Sequence, residues 1–424
     1  MTQLDYLLAF SGGLDSTALL YLFAQALKNE PQATLTAIHI HHGLQKTADQ
    51  WVGHCQRICD QWRIPLKVGY VQAHAKLGES PEAAARTARY HALEQHMTAN
   101  SILVTGHHQD DQAETFLLQL LRGAGSKGLS AMAEWKKLRI GWHYRPLLRY
   151  SRQQLTHFAH SQHLKWIEDP SNQSRAFARN ALRHDVLPTI AQHWPSFAKT
   201  IRRSAGLLAD SHALLRQFAQ EQLTQAGADA NHLPLSVFES HSLPRQTLLL
   251  RTWLEHFNQP LPAQAKLTQF LHDLLSAQPD RHPKLNWAGI TLYRYQEALR
   301  WHTSTTILKA PIHWSQFPKP LILNDQHRLL ATYSSKSGLR TLTVAEIAQL
   351  TLRTWHHGGR FHPADRTHSQ RIKKLLQEWR IPMELRQQIP FLYCGEVLIA
   401  IIGYGIANGW QTIGEGWQLH SELF

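Results

Sequence analysis

The sequence predicts an α/β fold, in which a parallel sheet with helices on both faces is followed by a mainly helical segment and two small C-terminal α+β domains. Three observations lead to this prediction. Short apolar runs alternate with segments of helical spacing over the first 110 residues, which is the pattern of β-α-β units. The chain has 424 residues, which suggests two or three domains. With 43% hydrophobic and 18% charged residues, it is not a mainly disordered chain.

The first half of the chain supplies the predicted sheet. Apolar runs predict buried strands at 4–10, 34–40, 66–71 and 102–105. Apolar residues at helical spacing predict helices at 14–28, 47–62, 81–97 and 110–122. Ligands of parallel sheets bind beyond the carboxyl ends of the strands. We therefore expect a site among the segments 11–16, 39–43 and 106–111.

The rest of the chain falls into helical and mixed parts. Residues 150–225 have mostly helical spacing, with one long helix predicted at 197–223. A helix pair and short strands follow, at 243–257, 263–276 and 285–301. The stretch 306–335 contains prolines and lacks a clear period, so we place a domain boundary inside it. The predicted domains are 1–215, 216–320 and 339–424.

The charge of the chain favours a polyanionic partner. Lys and Arg number 44 against 31 Asp and Glu, a net charge of +13. Between residues 120 and 203 there are 15 basic and 4 acidic residues, so a net +11 lies in this segment alone. A basic segment of this size is typical of nucleic-acid binding. The alternative is an ordinary solvated basic face.

Several classes of protein are disfavoured by what the sequence contains. No apolar run reaches the roughly 18 residues of a membrane-spanning helix, and the first ten residues do not have the pattern of a signal peptide. The three cysteines, Cys55, Cys59 and Cys394, are too few for a disulfide framework. We expect a cytoplasmic protein without a membrane partner.

The loop Ser11-Gly12-Gly13-Leu14-Asp15-Ser16, between a predicted strand and a predicted helix, is the strongest motif. Two glycines allow a tight turn close to a ligand, and free amides at a helix start attract an anion. A carboxylate beside them suits a phosphate whose charge Mg²⁺ offsets, because Mg²⁺ prefers oxygen ligands. The structural alternative is an ordinary tight strand–helix turn that is capped by serine.

A second motif, at 106–115, groups Asp110, Asp111 and Glu114 at the start of another predicted helix. Residues three and four apart share a helix face, so at least one acidic pair lies side by side. Acids in a first turn are also favoured by the helix dipole, which is the structural alternative. Three carboxylates repel one another, and a cation, either Mg²⁺ or an ammonium group, would stabilise them.

The loop resembles the pyrophosphate-binding loop of the N-type ATP pyrophosphatase superfamily, which implies a Rossmann-like parallel sheet. The stretch 38–44 fits the adenosine side of such enzymes. Together with the acidic motif and the segments 121–129, 145–148 and 168–172, the chain is similar to the tRNA(Ile)-lysidine synthetase family. The C-terminal module, 339–424, matches through Arg353, 358–360, 371–378, 381–386 and the apolar strand that ends at Gly403, although Met383 stands where the family often has an aromatic residue.

The resemblance implies a reaction in two steps. The O2 of the wobble cytidine, in an isoleucine tRNA with a CAU anticodon, attacks the α-phosphorus of ATP, and the amine of free L-lysine then displaces AMP. By resemblance, ATP is held by the loop and His39, Mg²⁺ by Asp15, and lysine by Asp111 and Glu114. His107 is the candidate proton acceptor, and Arg86, with Arg89 as the competing choice, is a candidate contact to the phosphates or the base.

Specificity would come from the tRNA, for which we select the basic residues after the acidic motif and in the C-terminal module. The candidate tRNA contacts are Arg122, Lys127, Arg145, Arg175, Arg179, Arg183, Arg360, Arg371, Lys373 and Lys374. The resemblance assigns the middle domain to substrate binding and the C-terminal domain to the acceptor stem. The oligomeric state stays open, with a homodimer as one option.

Two other functions compete with this one. A tRNA thiolase of the same superfamily would use a Cys-x-x-Cys pair, whereas Cys55 and Cys59 are four apart. A non-catalytic tRNA-binding protein is the other alternative. The complete loop and the acidic motif favour an enzyme over both.

Overall fold

The computed structural model describes residues 4–41, 48–71, 81–170, 175, 178–278, 281, 283–303, 308, 310–324, 327–354 and 358–423. The chain forms two compact units, Met1–Leu215 and Arg216–Phe424. None of the helices in these described ranges has both the length and the apolar character needed to cross a membrane.

The first unit contains a six-stranded sheet in the order β3-β2-β1-β4-β6-β5. All its pairings are parallel except that of β5 with β6, so the predicted parallel sheet is confirmed. Its strands are β1 (Leu4–Ala9), β2 (Ala33–His41), β3 (Leu66–Tyr70), β4 (Ser101–Val104), β5 (Trp135–Lys137) and β6 (Trp142–Tyr144). The last two were not predicted, because strands of three residues show no period.

Helices cover both faces of this sheet. Adjacent side chains of a strand point to opposite faces: Leu8 packs with Leu20 and Cys55 in one cluster, and Leu7 packs with Leu93 in another. The helices are α1 (Leu14–Ala26), α2 (Ala48–Trp62), α3 (Pro81–Gln95), α4 (Gln109–Leu121), α5 (Ser126–Leu129), α6 (Arg152–Ser161), α7 (Ala178–Ala181), α8 (Leu187–His193) and α9 (Phe197–Gln225). A 3-10 turn at Pro146–Arg149 and a π-helical turn at Leu182–Val186 complete the set.

The second unit begins with a helical layer on a small antiparallel sheet, as the pattern of this region predicts. The sheet has the order β7-β10-β9-β8, and its core contains Phe238, Leu250, Leu271 and Leu292. The elements are β7 (Leu233–Pro234), α10 (Leu243–Leu254), α11 (Gln264–Ser276), β8 (Lys284–Trp287), β9 (Ile290–Tyr295) and β10 (Ala298–Thr303), with 3-10 turns at Leu235–Phe238 and Glu255–Phe257.

Two antiparallel sheets and a short ribbon form the rest of the second unit. Their orders are β11-β15-β18-β19-β20, β12-β13-β22-β14-β21 and β16-β17. The strands are β11 (Ile312–His313), β12 (Leu321–Asn324), β13 (His327–Ser334), β14 (Gly338–Leu339), β15 (Leu350–Thr354), β16 (Arg360–Phe361), β17 (Gln370–Arg371), β18 (Pro390–Cys394), β19 (Val397–Ile401), β20 (Gly405–Ile406), β21 (Gln411–Thr412) and β22 (Gly416–Leu423). The helices are α12 (Val344–Ala348), α13 (Ile372–Glu378) and α14 (Met383–Arg386).

The described residues 310–324 and 327–334 belong with these C-terminal sheets. Strand β13 pairs with β22 along its whole length, and Trp314 and Leu329 share a core with Leu350 and Leu392. This differs from the predicted bounds, which ended a middle domain at 320 and began the last one at 339. Pairing between strands so far apart in the chain leaves no local period from which to place the boundary.

Candidate active site

The loop between β1 and α1 has the conformation that an anion site requires. Gly12 has φ +80°, and a Cβ atom there would lie 3.0 Å from the Cys55 sulfur, so only glycine fits. The Ser11 hydroxyl lies 3.1 Å from the Ser16 hydroxyl and accepts a hydrogen bond from the Gly13 amide. Leu14, the first residue of α1, is buried beneath the loop. The loop amides at the start of α1 therefore lie at the carboxyl end of β1.

The end of β4 packs directly against this loop. A Cβ atom on Gly106 would lie 3.2 Å from the backbone of Asp15 and Ser16, so glycine allows the two segments to approach. Two residues later, the buried His108 lies 3.6 Å from an Asp15 oxygen and within 3.5 Å of Asp110 and Asp111. Burial disfavours its charge, but these carboxylates outweigh burial and raise the pKa of His108 to about 10. His108 is therefore an imidazolium that offsets their charge.

Asp15 also has the free oxygen that a bound cation would need. Its Oδ1 is buried and has no hydrogen-bond partner. Among the residues that the structure describes, no three or more acidic, His or Cys side chains could hold a metal by themselves. Mg²⁺ is commonly held by one carboxylate together with substrate phosphates and water. Asp15 fits that donor set.

Glu114 and Asp111 form an ion cluster with two arginines. Glu114, on α4, is fully buried and accepts hydrogen bonds of 2.6 Å from Arg179 Nε and Arg183 Nε. Asp111 Oδ1 accepts bonds of 3.1 and 3.2 Å from the same two guanidinium groups. Burial lowers the pKa of each arginine, but the carboxylates outweigh burial and raise it. We call these four residues the ion quartet.

Asp110 faces away from the quartet. Its carboxylate accepts a hydrogen bond of 2.8 Å from the backbone amide of Arg152 at the start of α6. Burial raises the pKa of Asp110, but His108 and this amide outweigh burial and lower it. Asp110 therefore caps the start of α6. Asp111 has the capping role at α4 that the sequence left open, because its Oδ2 accepts a hydrogen bond of 3.0 Å from the His108 amide, and Glu114 has no such role.

His107 lies on the cationic side of the site. Its Nδ1 is 2.7 Å from the Thr105 hydroxyl. Burial, and the charges of Arg145, Arg179, Arg86 and Arg89, hold the pKa of His107 well below its usual range. The imidazole is therefore neutral at physiological pH.

Arg86 and Arg89 both lie near Tyr90 on α3. The Arg86 guanidinium is 4.9 Å from the Tyr90 ring centre and exposed, while that of Arg89 is 5.8 Å away and half-buried. Of the two, Arg86 is the more accessible to a ligand.

His39 and Cys55 support the loop from behind. The buried His39 ring donates from Nδ1 to the Phe10 carbonyl at 2.9 Å, and the Cys55 sulfur lies 3.4 Å from the same nitrogen. This placement differs from the predicted contact of His39 with ATP, because the side chain faces the interior. The adjoining stretch 42–47 lies outside the described residues.

Comparisons with known proteins agree with this geometry. Family models match residues 1–190 as a PP-loop domain, 233–300 as a TilS substrate binding domain and 350–421 as a TilS substrate C-terminal domain. The tRNA(Ile)-lysidine synthase of Coxiella burnetii is 38% identical over 99% of this chain and 93% of its own length. That of Shigella flexneri is 37% identical over 99% and 97%. This chain belongs to the tRNA(Ile)-lysidine synthase family.

Similarity to solved structures is weaker. A U34-tRNA thiolase from Methanococcus maripaludis, with its [4Fe-4S] cluster, has a TM-score of 0.42 at 20% identity and covers 49% of this chain and 74% of its own. A TM-score this low does not relate the function of that thiolase to this chain. In this lysidine synthase family member, burial raises the pKa of the Cys55 and Cys59 thiols to about 12, which disfavours thiolate chemistry.

The structure divides the predicted tRNA contacts of this family member into two groups. Three are not on an open surface: Arg145 is 5% exposed and bonds the Ala133 carbonyl, and Arg179 and Arg183 belong to the ion quartet. The prediction that Arg145 contacts the anticodon stem is wrong, because its side chain is buried and cannot reach the phosphates of a tRNA on the protein surface. The exposed candidates are Arg122, Lys127, Arg175, Arg360, Arg371, Lys373 and Lys374.

Sequence reasoning missed an aromatic and basic surface on the hairpin of β5 and β6. Trp135 is 46% exposed and stacks on Tyr144 at 4.0 Å, and Trp142, 42% exposed, lies 4.9 Å from the Lys137 ammonium. Lys136 is exposed beside them. The run Trp-Lys-Lys at 135–137 was the available signal, since aromatic and basic residues together are typical of RNA contacts. We call residues 135–144 the aromatic hairpin.

Proposed function

We propose that this chain attaches lysine to carbon 2 of the wobble cytidine of an isoleucine tRNA with a CAU anticodon, using ATP and giving lysidine, AMP and pyrophosphate. The observation that carries the proposal is one edge of the sheet. There the anion loop, Asp15 and the acidic pair Asp111 and Glu114 meet, in a chain 38% identical over 99% of its length to a tRNA(Ile)-lysidine synthase. Since the substrate is a tRNA, the enzyme would act in the cytoplasm.

In the first step the loop holds the phosphates of ATP. The amides of the loop and the start of α1, with the hydroxyls of Ser11 and Ser16, donate to the pyrophosphate as it leaves. Donors fixed before the reaction stabilise the charge that develops in the transition state. Mg²⁺, held by Asp15, would offset the phosphate charge when bound. The bond formed joins cytidine O2 to the α-phosphorus, and the bond to the pyrophosphate oxygen breaks.

In the second step free lysine attacks the activated base. Its ammonium groups require carboxylate partners, which are Asp111 and Glu114. Both oxygens of Glu114 already accept hydrogen bonds from Arg179 and Arg183. Bound lysine would therefore share these carboxylates with the guanidinium groups of Arg179 and Arg183 or displace one of them. The ε-ammonium of lysine gives one proton to a carboxylate of the acidic pair, and the resulting amine forms the bond to C2. The C2–O2 bond breaks, and AMP leaves with the second proton of the attacking nitrogen on its phosphate.

The tRNA is held by charge and by stacking. The exposed arginines and lysines supply phosphate contacts, each of which steepens the salt dependence of binding. The aromatic hairpin offers faces on which unpaired bases of the anticodon loop stack. Its opposite face carries His143, whose ring lies 2.9 Å from the Thr105 hydroxyl in the site. The aromatic hairpin therefore connects the proposed RNA-binding surface to the site of the reaction.

The test is pyrophosphate release and labelled-lysine incorporation with unmodified isoleucine tRNA. Wild-type enzyme should release pyrophosphate when tRNA is present and incorporate lysine into it. Asp15→Asn should lose pyrophosphate release. Glu114→Ala, assayed at a temperature below the lowered melting temperature of this variant, should chiefly raise the lysine concentration needed. Absence of lysine incorporation by the wild type would reject the proposal. An equal loss of Glu114→Ala activity at saturating lysine would reject the lysine-binding role.

A further inference from the structure

Three hydrogen bonds link His107 to a buried arginine. Arg145 lies 2.9 Å from His143 Nδ1. His143 Nε2 lies 2.9 Å from the Thr105 hydroxyl, and that hydroxyl lies 2.7 Å from His107 Nδ1. Thr105, His143 and Arg145 are all buried, so the chain of bonds is shielded from water.

The chemistry of the groups fixes the direction of every bond. A guanidinium only donates, so His143 Nδ1 must accept from Arg145. Burial, and the charge of Arg145, lower the pKa of His143 to about 3, so its ring is neutral and carries its one proton on Nε2. That N–H donates to the Thr105 oxygen. The threonine hydroxyl then donates to His107 Nδ1.

The reverse arrangement at Thr105 is disfavoured. Its oxygen could accept from both rings only if its own O–H found another acceptor. No other side-chain partner of this hydroxyl exists within the described part of the chain. A buried O–H without an acceptor costs about 1–3 kcal/mol. His107 Nδ1 is therefore the acceptor, and its proton lies on Nε2.

We propose that His107 donates a hydrogen bond from Nε2–H to an oxygen of the bound substrate, a phosphate or the cytidine carbonyl, and does not accept a proton. Thr105, His143 and Arg145 are positioning residues that set this tautomer. The inference rests on the proposed function, because it assigns a role in that reaction. It replaces the proton-acceptor role that the sequence indicated for His107.

Two further observations support a donor. His107 Nε2 forms no hydrogen bond with any described residue, and the side chain is half-buried at the site. The neighbouring guanidinium groups of Arg86 and Arg89 attract an oxyanion to this side. A ring already protonated on its free nitrogen, and kept neutral by those cations, suits a negatively charged oxygen.

Glutamine tests the role of the ring directly. In His107→Gln the amide N–H lies near the position of Nε2 and donates, but an amide does not take up a proton. In single-turnover assays of lysidine formation, His107→Ala should lose about 10²–10³-fold, as for removal of one donor to an oxyanion. His107→Gln should stay within about tenfold of the wild type. Equal losses in both variants would overturn the donor role.

The positioning residues are tested at Thr105. Thr105→Val removes the hydroxyl and should lower the single-turnover rate, with the KM for ATP and lysine unchanged, whereas Thr105→Ser should restore it. The ¹⁵N spectrum of labelled imidazoles, with His107 assigned by its loss in His107→Gln, should show Nδ1 unprotonated in the wild type. A protonated Nδ1 would overturn the tautomer. Failure of the wild type to form lysidine would instead reject the proposed function and leave the spectrum unaffected.

Discussion

Replacing Glu114 by glutamine should destabilise the first unit severely. The Glu114 carboxylate is buried and accepts three hydrogen bonds, at 2.6, 2.6 and 3.0 Å, from Arg179 and Arg183. Glutamine accepts through one oxygen only and presents an NH₂ group to donors that need an acceptor. The two guanidinium groups, which are 22% and 25% exposed, would then share a single remaining anion, Asp111.

The magnitude follows from the loss of one partner of a buried ion cluster, which costs about 3–5 kcal/mol. Because both arginine side chains keep some contact with water, we expect a loss near the lower limit, about 3 kcal/mol. For a unit of this size, each kcal/mol lowers the melting temperature by roughly 2–4 °C. The Glu114→Gln variant should therefore melt about 6–12 °C lower.

The assay is scanning calorimetry of the whole chain, with Glu134→Gln as the matched control. Glu134 makes the same kind of pair with Arg149 at 3.3 Å, but those side chains are 38% and 70% exposed. Removing such a surface pair costs between 0 and about 1 kcal/mol. If Glu114→Gln melted within 2 °C of the control, the ion quartet would not stabilise the fold and the argument from its burial would be wrong.

Two other predictions concern the hairpin and the C-terminal sheets. Trp135→Ala should weaken tRNA binding about 5- to 150-fold, the value of one stacked base. The control Tyr70→Ala removes another aromatic side chain, 73% exposed on the opposite edge strand, and should not weaken binding; equal affinities of the two variants in filter binding would contradict the stacking surface. Hydrogen bonds from Arg340 lower the pKa of Glu346 to about 2, so its stabilisation is complete above about pH 4.5 and is lost as pH falls through 2. Glu346→Gln should therefore lower the free energy of unfolding by about 1–2 kcal/mol at pH 7. The difference in unfolding free energy between wild type and variant should shrink between pH 4.5 and 2, and a difference that stays constant in denaturant titrations over this range would refute the stabilising role of the Glu346 carboxylate.

Local signals were enough for the sheet and the loop. The strands β1 to β4 lie close to their predicted positions, since continuous apolar runs are what a doubly covered parallel sheet requires. The loop at 11–16 could be identified because the glycines, the serines and the acid each have a local chemical reason. The spacing of the three acids predicted that at least one acidic pair would lie side by side on a helix, and the family resemblance identified that pair as Asp111 and Glu114.

Long-range pairing could not be predicted in the same way. Arg179 meets Glu114 across 65 residues, and Arg183 meets it across 69, so in the sequence both belong to a basic stretch that resembles an RNA-binding surface. Arg145 has the same charge and lies in the same stretch, yet it is buried against His143. Local composition gives the charge of a residue but not its partner.

The two adjacent histidines show how one strand end divides the site. The backbone at His108 is extended, and successive side chains of extended chain point to opposite sides. His107 consequently faces the guanidinium groups of Arg86 and Arg145 and is neutral, whereas His108 faces Asp15 and its neighbouring carboxylates and is charged. A reaction that activates a base with a triphosphate and then attaches an ammonium-bearing amino acid to it needs a cationic side and an anionic side within reach of that base. The segment that follows β4 provides both, because its adjacent residues His107 and His108 point to opposite sides, one toward the arginines and the other toward the carboxylates.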